Sequence, residues 1–193
     1  MKRIIIINQD SGYLVVDIAN DLVKRDLDIA IIAGRVVERN TSVDPRIRIR
    51  KIVKYNRSSK VRRLSNWILG FLQILLLIKT RYRKDYLFIF SNPPFTTLLP
   101  LFCRNKFSIM VFDVFPDTLV QMGIVSEESV LVKLWRKKNK KIYPRAERIF
   151  TLTESMAALI KRDSCEKEVM VVPLWGDSGY FKHVARVNNP FSI

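Results

Sequence analysis

The most constraining feature of the sequence lies in its first 34 residues. Ile4, Ile5, Ile6 and Ile7 form an uninterrupted apolar run, the pattern of a strand buried on both faces of a parallel sheet. The polar turn Asn8-Gln-Asp-Ser-Gly12 follows, and from Tyr13 to Arg25 the residues Val15, Ile18, Ala19 and Leu22 recur at helical spacing. Ile29 to Ala33 is a second buried strand, closed by Gly34. Strand, turn, helix and strand in this space make a βαβ unit, whose right-handed crossover sets the two strands parallel. Because Asn8, Gln9 and Asp10 cut the apolar run short, it is a strand and not an export signal.

The rest of the chain repeats the theme. Ile47 and Ile49 alternate with arginines, which predicts a strand at or near an edge with one basic, exposed face. Strands are also expected over 86–90, 107–112, 148–153 and 168–173, with short helices near 96–103 and 154–162. A further helix starts after Ser126 as N-cap, carries Val130, Leu131, Leu134, Trp135 and Ile142 on one side, and ends near Pro144. The fold class is α/β, a doubly wound, mostly parallel, Rossmann-like sheet. At 193 residues there is room for one such domain, taken as 1–180, with 181–193 as the start of a linker.

Charge is segregated along this frame. The chain has 34 Lys and Arg against 18 Asp and Glu. Between Arg46 and Lys84 stand thirteen cations and no acid, and a second cluster runs from Lys133 to Arg148. Inside the first lies Trp67 to Ile78, apolar at nearly every position and flanked by Arg62, Arg63, Lys79, Arg81, Arg83 and Lys84. Twelve helical residues reach about 18 Å, too short for a hydrocarbon core of about 30 Å. The expectation is a helix partly sunk in an anionic membrane surface over region 57–84, with Trp67 and Phe71 in contact with lipid. Nucleic-acid binding would use the cations but leave the apolar run unexplained, so no nucleic-acid partner is expected.

In a doubly wound sheet ligands bind outside the carboxyl ends of the strands. The candidates there are Asp10, Ser11 and Gly12; Ser91 and Asn92; Asp113 and Asp117; Thr153, Glu154 and Ser155; and Trp175, Gly176 and Asp177. Their hydroxyl and carboxylate chemistry suits a sugar, although turns and helix caps favour the same residue types. No Gly-rich phosphate cradle of the dinucleotide or P-loop type is present. A lone His183, and Cys103 and Cys165 far apart, predict no metal site, no disulfide framework and no His-dependent nucleophile. Carboxylates remain as bases.

Three segments resemble one family. Asp113-Val-Phe-Pro-Asp117 followed by Leu119 and Gly123 resembles the Asp-Leu-Trp-Pro-Asp/Glu…Leu…Gly segment of GT-B glycosyltransferases of the family 4 type. The stretch from Tyr143 to Met156 is similar to their Tyr-x-x-Ala-Asp-x-Ile-x-x-Leu-Ser-x-x-Met, and Val172 to Asp177 to their Val-Pro-Asn-Trp-Val-Asp. The chain departs from many members in its first loop, reduced to Asp10-Ser11-Gly12, and in Phe112, where they carry His or Arg.

The resemblance implies the N-terminal, acceptor-binding domain of a two-domain enzyme. It implies a nucleotide-sugar as substrate, no bound cofactor or metal, and a C-terminal donor-binding domain supplied in cis or as a separate chain. Alone, the chain should be inactive. Joined to its other half, it is expected to transfer a sugar to a polyprenyl-diphosphate-linked acceptor in surface polysaccharide synthesis, with Asp113 or Asp117 positioning or deprotonating the acceptor hydroxyl. The expected location is cytoplasmic, peripheral on the inner face of the cell membrane. The alternative is a non-catalytic anchoring or acceptor-presenting subunit.

Overall fold

The isoleucine run stands at the centre of the main sheet, buried from both sides. The computed structural model describes residues 3–39, 41–56, 58–164 and 167–174. In chain order the elements are β1 (Ile4–Ile7), β2 (Asp10–Ser11), α1 (Tyr13–Lys24), β3 (Ile29–Ala33), β4 (Arg35–Val36), β5 (Arg48–Lys51), α2 (Lys60–Thr80), β6 (Tyr86–Phe90), a 3-10 helix (Pro94–Leu101) and β7 (Phe107–Val111). Then come α3 (Asp117–Gln121), α4 (Val130–Ile142), a 3-10 turn (Tyr143–Arg145), β8 (Ile149–Thr151), α5 (Glu154–Ser164) and β9 (Val169–Val171).

Seven strands pair in the order β5-β3-β1-β6-β7-β8-β9, and every pairing is parallel. The two-residue strands β2 and β4 pair separately. This is the doubly wound, Rossmann-like sheet. The winding reverses between β1 and β6, which places the switch point at their carboxyl ends.

Both faces are covered, which is why the strand sequences run apolar without alternation. One face packs Ile5, Ile7, Ile32, Ile89, Ile109 and Ile149 against Ile74 and Ile78 of α2, Leu99, Ile142 of α4 and Ile160 of α5. The other packs Ile6, Ile31 and Met110 against Val15, Ala19 and Val23 of α1. Strand β5 is an edge strand, as its arginines predict, but the alternation is imperfect. Ile47 is buried, whereas Ile49 is 38% exposed because an outermost strand has a neighbour on one side alone.

The helices bring corrections. The segment after β6 is a 3-10 helix over Pro94–Leu101, not a helix over 96–103; Pro100 inside it has no N–H for an α-helical bond. Ser126 is not the cap of α4. Ser129 accepts from the Val132 N–H and starts that helix. The buried stripe of α4 is Val132, Trp135, Asn139 and Ile142, and Val130, Leu131 and Leu134 are exposed.

Helix α2 differs most from expectation. Ser59 caps it through the Arg62 N–H, and it runs for 21 residues, not twelve. At about 1.5 Å per residue it spans about 31 Å, so Val61–Thr80 is long and apolar enough to cross a membrane. Length therefore does not exclude spanning. Yet Gly70, Ile74 and Ile78 are buried and make α2 a layer of the domain.

The outward face of α2 carries Val61, Ile68, Leu72 and Leu76, with Leu64 and Leu69 beside them, all exposed. Trp67 and Phe71 do not share that face. Trp67 stacks on Tyr55 with ring centroids 6.0 Å apart and meets the edge of Phe95 at 6.2 Å; Phe71 meets Phe102 at 5.8 Å. Arg63 lies over the Trp67 ring at 5.5 Å, a cation–π contact. Arg62, Lys79, Arg81, Arg83 and Lys84 are exposed.

Gly34 tests the packing at the end of β3. A Cβ there would stand 2.3 Å from the Val53 carbonyl oxygen and 2.8 Å from the Lys54 Cα, both backbone atoms that cannot rotate away. Gly34→Ala is expected to cost about 1–3 kcal/mol, read as a lower urea midpoint with an unchanged slope.

Candidate functional site

The site is built outward from Gln9, which follows β1 at the switch point. Its side chain is fully buried, and Nε2 donates to the Val53 and Asn66 carbonyls, each at 3.0 Å. Its backbone N–H donates to the Asn92 carbonyl, while its carbonyl accepts from the N–H groups of Gly34 and Arg35. One residue thus joins the ends of β1, β3 and β6, the segment after β5, and α2. Gly70 leaves the space: a Cβ there would lie 2.7 Å from the Gln9 amide nitrogen. Sequence reasoning missed Gln9, since an amide in a polar turn looks like any other.

Several sequence candidates hold this edge together. Ser11 is fully buried and donates to the Asn8 carbonyl. Ser91 is 1% exposed, and its Oγ accepts from the N–H groups of Phe112 and Asp113 at 2.9 and 3.1 Å. Neither hydroxyl reaches the surface, so both are removed from the ligand-contacting set. Ser91 instead positions Asp113. Asp10 forms a two-pronged ion pair with Arg35, at 2.7 and 3.0 Å. Gly12 is the backbone N-cap of α1 and faces open space, and Asn92 is half-buried beside Gln9. Thr153 accepts from the Met156 N–H at the start of α5 and meets Ser155 Oγ at 3.0 Å; Thr153, Glu154 and Ser155 are exposed. Trp175, Gly176, Asp177 and segment 181–193 lie outside the described residues.

Asp113 and Asp117 come together as the sequence suggests, lining one cavity of about 220 Å³ beyond the end of β7. Phe112, Thr118, Gln121 and Met156 complete much of its wall. Their electrostatics are opposite. Asp113 is exposed at the mouth and has no ion-pair partner among the described residues; surrounding protein displaces enough water to raise its pKa.

Asp117 is buried. Burial alone would raise its pKa, but it accepts from Arg162 at 2.8 and 2.9 Å and from Arg136 at 2.8 Å. These guanidiniums outweigh desolvation and hold the carboxyl below its ordinary range. Asp113 is therefore the group suited to take a proton, and Asp117 fastens α4 and α5 to the turn after β7. Nearby Asp163 is also buried, and burial raises its pKa.

No family model matches the chain. It is similar to the Probable glycosyltransferase WbjE of Pseudomonas aeruginosa, at 30% identity over 62% of this chain. The match covers 35% of that protein's length.

Replacing Asp117 tests the assignment of the two carboxylates. Because its folded-state pKa is depressed, its stabilisation is complete above the unfolded carboxylate range near pH ~4 and drains away as pH falls through the folded value. Asp117→Asn is expected to lose about 2–3 kcal/mol at neutral pH, and its stability should fall less steeply below that range than that of the unaltered chain. Thermal melts across an acid series measure both effects.

Proposed function

We propose that the chain is the acceptor-binding half of a membrane-associated glycosyltransferase of GT-B architecture. The observation that carries this reading is the similarity to the Probable glycosyltransferase WbjE, on a chain whose doubly wound sheet brings two unlike carboxylates to one strand-end cavity. A donor-binding half, in the same chain or a separate one, would hold a nucleotide-sugar across the strand ends. Asp113 would accept the proton of the acceptor hydroxyl as its oxygen bonds to the anomeric carbon and the bond to the nucleotide diphosphate breaks. Its raised pKa favours that role, since a base is most effective when its pKa approaches the working pH.

The outward face of α2 supports an acceptor carried in a membrane, a polyprenyl-diphosphate-linked sugar being the class favoured. Leu64, Ile68, Leu69, Leu72 and Leu76 form an exposed apolar stripe between Arg62 at one end and Lys79, Arg81, Arg83 and Lys84 at the other. Such a helix lies in the interface with its apolar face in the acyl boundary and its cations at lipid phosphates. The inner face of the cell membrane, where nucleotide-sugars are available, is the proposed location, and surface polysaccharide assembly the proposed setting.

Two measurements check the reading. In the complete enzyme, Asp113→Asn should lower turnover by a factor of about 10²–10⁴; turnover that stays unchanged removes Asp113 from the chemistry. The chain should co-sediment with vesicles containing phosphatidylglycerol, and Leu72→Ser/Leu76→Ser should weaken that binding about tenfold or more. Tight duplex-DNA binding without vesicle binding overturns the membrane assignment.

A further inference from the structure

A cavity that the proposed chemistry does not use lies at the opposite end of the sheet from the strand-end site, at the amino ends of β6 and β7 where α2 ends. It measures about 630 Å³. Lys79 from the last turn of α2, Arg83 and Lys84 from the turn before β6, and Arg104 before β7 converge on it. Among the described residues none of the four has an ion-pair partner. An adjoining hollow of about 360 Å³ shares Arg83, Lys84 and Arg104 and adds one acid, Asp85, beside Lys106; Lys106 is itself paired with Glu147.

The walls are held in place. Asn105, 8% exposed, donates from Nδ2 to the carbonyls of Tyr82 and Asp85, tying the segment before β7 to the turn before β6. Ile78, Phe102 and Cys103 supply the apolar part of the lining, and Phe102 is 50% exposed. Four cations around one hollow repel each other, and an anion bound among them relieves that repulsion. The apolar lining beside them suits an anion that carries a hydrocarbon chain. The cavity also continues the exposed stripe of α2, which passes from Leu72 to Leu76 and ends at Lys79.

We infer that this cavity binds the headgroup of an anionic phospholipid, its phosphate among Lys79, Arg83, Lys84 and Arg104 and its acyl chain along Phe102 and Leu76. The inference rests on the membrane reading of α2 and adds to it a specific site, remote from the strand-end cavity. Such a site fixes the far end of α2 at the headgroup level, so that docking sets the orientation of the domain as well as its location.

The test compares two charge-matched variants of the full chain on phosphatidylcholine vesicles with and without phosphatidylglycerol. Arg83→Gln/Arg104→Gln removes two cavity cations. Lys137→Gln/Lys141→Gln removes two exposed cations from α4, which packs on the same face of the sheet as α2. The cavity pair is expected to weaken binding to the phosphatidylglycerol vesicles by about tenfold more than the α4 pair. Phe102→Ser should weaken it too, while leaving the far-UV spectrum unchanged.

Equal losses from the two pairs would mean diffuse attraction and overturn the site. Inorganic phosphate that binds the unaltered chain but not the cavity pair, with vesicle binding equal in both, would mark a soluble-anion site and overturn the lipid. Loss of duplex-DNA binding with retention of vesicle binding would do the same in favour of nucleic acid. If the unaltered chain binds no vesicle at all, the membrane reading of α2 fails with it; binding without a difference between the pairs defeats the cavity alone.

Discussion

The buried amide of Gln9 is the constraint on which the strand-end architecture depends. A doubly wound sheet leaves a crevice where its winding reverses, and the chain ends bordering it must be held open in a fixed arrangement to serve as a site. Here the side chain, the backbone N–H and the carbonyl of one residue do so, by donating to Val53, Asn66 and Asn92 and accepting from Gly34 and Arg35. Gly34 and Gly70 supply the close approach that these bonds need, the first against backbone and the second against the amide itself. The first turn of the sheet, the helix that faces outward and the segment beside β6 thus form one rigid unit.

A second knot lies one strand over. Ser91 receives the N–H groups of Phe112 and Asp113, Asn139 donates to the Phe115 carbonyl, and Asp117 is clasped by Arg136 and Arg162. Among the described residues Asp117 is held by two guanidiniums, whereas the exposed Asp113 carboxylate has no ion-pair partner. This division of labour separates two acids four residues apart. The one inside is stabilised as an anion by two guanidiniums and is a poor base, and the one outside is left basic by partial desolvation alone.

The outward layer has a different logic. Helix α2 gives the sheet Gly70, Ile74 and Ile78 and turns a continuous apolar stripe away from it, while α4 leaves Val130, Leu131 and Leu134 exposed on the same side of the sheet. Since both helices contribute to one core face, their outward faces point the same way. An apolar surface of this kind bordered by cations is the feature on which the proposed membrane docking rests, and the cation-lined cavity at the end of α2 adjoins it.

The sequence by itself determined the parallel sheet, its strand positions and helix α1, because strands buried on both faces require unbroken apolar runs and a helix on one face requires 3.6-residue spacing. It also placed Asp113 and Asp117 at one strand end. Only tertiary structure decided which faces and partners those residues have. Helix α2 is apolar nearly all round, so no periodicity tells its inward side; packing on the sheet turned Trp67 and Phe71 in and left Leu72 and Leu76 out. The hydroxyls of Ser11 and Ser91 have the same composition as sugar-binding groups, yet backbone groups distant in sequence consumed Ser91, and burial took Ser11. Asp117 was claimed by arginines nineteen and forty-five positions away. Such pairings arise from the three-dimensional path of the chain, and local sequence carries no record of them.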